Sequence, residues 1–238
     1  MAVSTDKKGL PPWVWVGCGC VGAIAALVLI VAGLGFWGAQ KARELGETMT
    51  DPEARTEKAL DILGAEALPA GYFTVVAFSV PFVLDFAVLS DQPPDDDGEP
   101  SELVRNGFIF MSFPAFGDGD EELYDFFEGR TESVDSLKRE RFNVDLRERV
   151  ARGRLDRAAD ELLWVSHRGA VEGEEIDDGH DGLVTMMLLE CDDERRRVGI
   201  WFGPDPSPES TADAIDLTGT VGDESSIESF MRPLEPCN

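Results

Sequence analysis

Oxygen and imidazole ligands crowd one stretch of the chain, Glu174-Glu175-Ile176-Asp177-Asp178-Gly179-His180-Asp181. Asp177, Asp178, His180 and Asp181 are the candidate metal ligands, because hard cations such as calcium gather several carboxylate oxygens. The alternating aspartates and closing glutamate of an EF-hand loop are absent, and in so acidic a chain such a run is expected as a solvated hairpin end. A metal-assisted hydrolase is the enzyme that this cluster would serve. His167, at the end of LLWVSH, is the other histidine. Adjacent strand residues point to opposite faces, so Ser166 and His167 do not meet as nucleophile and base, and no glycine-framed elbow surrounds any serine. His167 reads as a partly exposed strand residue. No catalytic residue and no cofactor are predicted.

The basic segment runs from Lys138 to Arg157, with Glu140, Asp145, Glu148 and Asp156 interspersed. At helical spacing Asp145 would pair with Arg149 and Glu148 with Arg152. The alternative is a patch of Arg147, Arg149, Arg152 and Arg154 for an anionic ligand or an acidic partner surface, since guanidinium forks suit carboxylate and phosphate. Two cysteines lie beyond residue 40: Cys191 ends LVTMMLLEC and Cys237 comes after the last helical pattern. Docking that helix on the sheet would bring them within the roughly 4.4 to 6.8 Å Cα separation of a disulfide. A bond is expected if the compartment is oxidising, and a frayed C-terminus would oppose it.

These residues need elements to position them. Asp51-Pro52 before EARTEKALDIL, with Gly64 after it, predicts a capped helix that rests on the domain through Leu60 and Leu63. Phe73 to Leu89 is apolar but valine- and phenylalanine-rich and interrupted by Pro81, which predicts two strands meeting there. Further strands are expected at Gly107 to Phe113, Glu161 to Arg168, Leu183 to Cys191 and Val198 to Phe202, the last two joined as a hairpin through DDERRR. Asp91 to Glu102 reads as an exposed loop. Asp118 to Gly129 reads as an amphipathic helix through Leu123, Phe126 and Phe127. Ser225 and Glu228 form a capping-box pattern ahead of Ile227, Phe230, Met231 and Leu234. The fold class is therefore α+β, an antiparallel sheet of about six strands with flanking helices.

Ahead of this domain, Gly9 to Gln40 is uncharged and contains an apolar run bounded by Trp13, Trp15 and Trp37. From Trp15 to Trp37 a helix would cover about 33 Å, close to the roughly 30 Å hydrocarbon core, with tryptophans at the headgroup boundary. The reading is one transmembrane helix over 13–38, an N-terminal tail over 1–12, a juxtamembrane helical linker over 39–66 and an acidic α+β domain over 67–238. The apolar core is too long for a cleavable signal peptide, and Gly35-Phe36-Trp37 is bulky where a peptidase wants small side chains. Cys18 and Cys20 read as small helix residues. Lys7 and Lys8 before the span and Lys41 and Arg43 after it leave the positive-inside rule silent; a signal anchor of this kind exports the chain beyond it, so the C-terminal domain is expected outside the cytoplasm. Gly19, Ala23, Ala26 and Gly33 form a small-residue ridge that would suit a transmembrane homodimer, although such residues are common in membrane helices.

Beyond the span lie 46 of the 47 acidic and 19 of the 21 basic side chains, a formal charge of about −27. That surface repels nucleic acid and anionic headgroups. The expected partners are the bilayer itself and another envelope protein. Pro69-Ala70-Gly71-Tyr72 opening the first strand, Phe82 to Leu89, Gly107 to Phe113 and the terminal SSIESFMRPL together resemble the PsbP-like fold of exported bacterial proteins. The resemblance covers most of residues 68 to 235 and implies an extracytoplasmic α+β domain without a single activity. The functional expectation is a membrane-anchored binding or assembly module, with a hydrolase or a cytoplasmic membrane-tethered regulatory domain as alternatives.

Overall fold

The computed structural model describes residues 51–93, 106–115, 119–131, 142–158, 160–173 and 176–237. The apolar run, most of the acidic loop after Asp91 and the start of the basic segment lie outside them. The chain divides into residues 1–46 and 47–238, and the second unit is described here. Among the described residues no helix is long and apolar enough to cross a membrane.

Helix α1 spans Pro52–Leu63. Asp51 caps it by accepting from the Glu53 N–H at 2.9 Å, and Gly64 ends it in the left-handed region at φ 60°. A Cβ at Gly64 would collide with the Glu235 carbonyl oxygen, so the close approach of the C-terminal segment requires glycine as well. Rather than resting on the surface, α1 buries Arg55, Ala59 and Leu63, a stripe at intervals of four. Burial of Arg55 is possible because Nη1 donates to the Val75 carbonyl at 3.3 Å, where the strand is bulged. Desolvation holds the Arg55 guanidinium below its ordinary pKa, opposed by Asp51.

Strands β1 (Phe73–Val80), β2 (Leu84–Ser90) and β3 (Gly107–Pro114) precede helix α2 (Gly119–Phe127). Strands β4 (Phe142–Asp156), β5 (Glu161–Gly173), β6 (Ile176–Glu190) and β7 (Arg195–Pro204) come next, with α3 (Glu224–Met231) closing the order. All neighbours are antiparallel in one open sheet ordered β1-β2-β3-β7-β6-β5-β4. Pro81 interrupts the first apolar run, and the RRR segment opens β7 as the return strand of a hairpin.

The main departure from the sequence expectation is β4, a strand where the charge spacing suggested a helix. Ala151, Gly153 and Leu155 are half-buried while Arg152, Arg154 and Asp156 are exposed, the period of two that defines a strand. Register shifts between Leu146 and Ala151 break that alternation further upstream and conceal it from a pattern search. At strand geometry residues four apart are about 13 Å from one another, so Asp145 with Arg149 and Glu148 with Arg152 are not pairs. Arg147 instead meets Asp145 at 3.4 Å, Arg154 meets Glu161 at 2.8 Å, and Glu148 meets Arg168 at 3.2 Å. β4 is an edge strand, and its exposed charges suit that position.

One face of the sheet carries Ala77, Ala87, Leu89, Phe108, Phe110, Met187 and Trp201 under α1 and α3. The other carries Val88, Ile109, Val165, Val184 and Ile200 beside Leu123, Phe126 and Phe127 of α2. Phe230 of α3 sits at the centre of the first face, stacked on Trp201 at 4.3 Å and edge-on to Phe108 and Tyr72. The Trp201 indole N–H donates to the Tyr72 hydroxyl at 2.8 Å, and burial pushes the Tyr72 pKa up to about 12. α3 begins one residue before Ser225, so Asp223 is the N-cap and Ser225 donates to its carboxylate at 2.7 Å in place of the capping box.

Candidate functional site: a polar row across four strands

On the α1 face, Ala77, Ala87, Phe110 and Gly199 are directly paired across β1, β2, β3 and β7. Two residues further along each strand, the same face carries Ser79, Asp85, Ser112 and Arg197, again paired in one register row. Four strands therefore change from small or apolar to polar at a single level. α1 covers the apolar rows, and beyond Asp61 and Ile62 the polar row lies in a cleft of about 260 Å³ bounded on another side by Pro236.

Arg195 reaches over the row. Its Nε donates to the Ser112 hydroxyl at 2.8 Å, and its Nη2 donates to Asp85 Oδ2 at 2.7 Å and to the Ser112 carbonyl at 2.8 Å. Nη1 makes no hydrogen bond among the described residues, leaving a guanidinium edge for a ligand. Arg197 is gripped by both oxygens of Asp193 at 2.6 and 2.7 Å. These two bonds, helped by the Arg195 backbone N–H, hold the Asp193 carboxyl down at about 2. The positive charge of Arg197 is thus committed to its own hairpin, whereas Arg195 keeps capacity for a guest.

The Ser112 hydroxyl in the cleft accepts from the Arg195 guanidinium, and among the described residues lining the cleft there is no histidine to take a proton. His167 lies on the other face, 1 % exposed and stacked on Phe126 at 5.6 Å, so it is a core residue and not a partly exposed one. Ser166 is equally buried and shares a hydrogen bond with Thr185 at 2.7 Å. The chain matches no family model and no curated protein. Its site is therefore read from its own chemistry.

The other sequence candidates fall elsewhere. Asp177, Asp178, His180 and Asp181 belong to β6, with Val171 opposite His180 and Ala170 opposite Asp181, but their side chains lie outside the described residues. Among the described residues no group of three or more metal-ligating side chains gathers. Arg147, Arg149, Arg152 and Arg154 are strung along β4; beside the carboxylate pairs of Arg147 and Arg154, Arg152 Nη1 donates to the Glu128 carbonyl at 2.7 Å. Cys191 and Cys237 are joined, with Cα atoms 5.5 Å apart.

A buried ion pair lies elsewhere in the domain. Asp160 has no exposed side-chain surface and faces Arg157 Nε at 3.4 Å, while Arg157 Nη2 donates to the Leu234 carbonyl. Burial raises the Asp160 pKa, opposed by Arg157 and Arg197. Sequence reasoning missed Ser79, Asp85, Ser112, Arg195 and Arg197 as a group because only the strand register aligns them. The available signal was weak: towards one end of each strand a polar residue takes an inward position next to a small or apolar one.

Proposed function

We propose that this protein is a single-pass membrane protein whose acidic α+β domain lies outside the cytoplasm and works by binding or assembly. The observation that carries the reading is the Cys191–Cys237 disulfide, since such bonds persist in oxidising compartments. The uncharged stretch from Gly9 to Gln40, with its flanking tryptophans, supplies the anchor. Within the domain the Arg195 cleft is the ligand-holding part. Its free guanidinium edge takes a carboxylate or phosphate oxygen, and Asp85 and Ser79 accept hydrogen bonds from donors on the same ligand. The PsbP-like resemblance belongs to the same proposal and rests on element order. Protease added to intact spheroplasts should digest residues 51–238 before the membrane is broken, and protection until lysis would place the domain in the cytoplasm.

A further inference from the structure

The β1–β2 turn is made of residues that a turn does not need. Its Val83 N–H donates to the Val80 carbonyl at 3.0 Å, with Pro81 and Phe82 in the central positions. Phe82 has φ 64° and is the only non-glycine residue of positive φ among the described residues. After a proline in this turn type, glycine or asparagine is favoured there, because a Cβ crowds the next carbonyl. The Phe82 side chain is also bare, 90 % exposed between Val80 at 40 % and Val83 at 55 %. Backbone strain and an exposed apolar knob at one residue point to contact rather than folding as the reason for phenylalanine.

We propose that this tip is an interfacial foot: Val80, Phe82 and Val83 insert shallowly into the headgroup boundary of the bilayer that the chain spans. The proposal rests on the membrane-anchored reading above. Contact area favours lipid over a protein partner. A phenylalanine contributes roughly 200 Å², so three side chains fall well below the roughly 1,000 Å² that a stable protein interface buries. A lipid surface asks for less, because the span already supplies the affinity and the tip only has to orient the domain. Reach requires the thirteen residues 38–50 to be extended: fully drawn out they would cover about 45 Å, comparable with the roughly 40 Å breadth of a domain this size, whereas as a helix they would cover about 20 Å. Residues 73–84 include no charged side chain, so desolvating the tip buries no ion. The acidic domain repels anionic headgroups, and contact is therefore strongest on zwitterionic lipid or at raised salt.

The test uses the full chain with Cys18→Ala and Cys20→Ala, reconstituted in phosphatidylcholine vesicles and labelled with an environment-sensitive fluorophore through Phe82→Cys. Glu209→Cys, exposed on the loop after β7, is the control. The expected result is a blue-shifted label at position 82, several-fold less quenched by iodide than at position 209 and quenched by shallow spin-labelled lipid. Phosphatidylglycerol at low salt should weaken that protection and added salt should restore it. Equal iodide access at both positions in phosphatidylcholine, with the chain resisting alkaline carbonate, would overturn the foot and leave the anchor standing. A disulfide-linked dimer of unlabelled Phe82→Cys would assign the tip to a second copy and overturn the lipid contact. Release of the chain by carbonate would overturn the anchor, and the foot with it.

Discussion

Two hairpin turns lie at the same end of the sheet and are built on opposite principles. In the β6–β7 turn, Asp193 accepts from the Arg195 N–H, grips Arg197, and sits beside the Cys191–Cys237 bond. Asp193 there does what a tight polar connection requires. In the β1–β2 turn, Phe82 adopts a conformation that suits glycine and leaves its ring in solvent. Where residue type and backbone agree, the chain is explained by folding; where they disagree, the sequence answers to something outside the domain.

The largest expected effect comes from breaking the tied end. Cys237→Ser opens a loop closed over a separation of 46 residues and should cost about 3 to 4 kcal/mol in denaturant unfolding by the chain-entropy account. An unchanged midpoint would mean that the C-terminal segment is held by packing alone. Gly64→Ala should cost about 2 kcal/mol or more, since it combines left-handed strain with a clash against the Glu235 carbonyl. Gly71, also at positive φ but with open space around it, is the control and should lose only the strain.

The polar turn also predicts a pH dependence. The Asp193 carboxyl is held at about 2 when folded, below its unfolded value near 3.9. Its contribution is therefore present above pH ~4 and lost as pH falls toward about 2. With 48 % of that side chain exposed, solvent screening leaves about 1 kcal/mol. Asp193→Asn should flatten the stability curve across that window, and an unaltered curve would place the acid sensitivity elsewhere. The smallest effect has the opposite sign. Phe82→Gly should raise stability by up to about 1 kcal/mol by relieving the left-handed phenylalanine, less the extra freedom glycine has when unfolded. A loss of stability would show that the ring is a folding contact and would erase the contrast between the turns.

Much of the fold was legible because its signals are local. Asp51, Pro52 and Gly64 mark the ends of α1, Pro81 marks the first turn, and Ile227, Phe230 and Met231 mark the buried side of the last helix. Other features depended on partners distant in sequence. β4 was misread because acids and arginines four apart satisfy a helix as readily as a bulged edge strand, and the far ends of β5 and β6, paired through Gly169, Gly173 and Gly182, lack the apolar run that a strand search seeks. The Arg195 cleft was invisible for the same reason: Ser79, Asp85, Ser112 and Arg197 become neighbours only through three separate strand registers.

The most direct test of the account is mass spectrometry of the protein taken from its native membrane and alkylated without reductant. An exported, anchored domain predicts that Cys191 and Cys237 resist alkylation and appear as one linked peptide pair. Two freely alkylated thiols would contradict the proposed compartment.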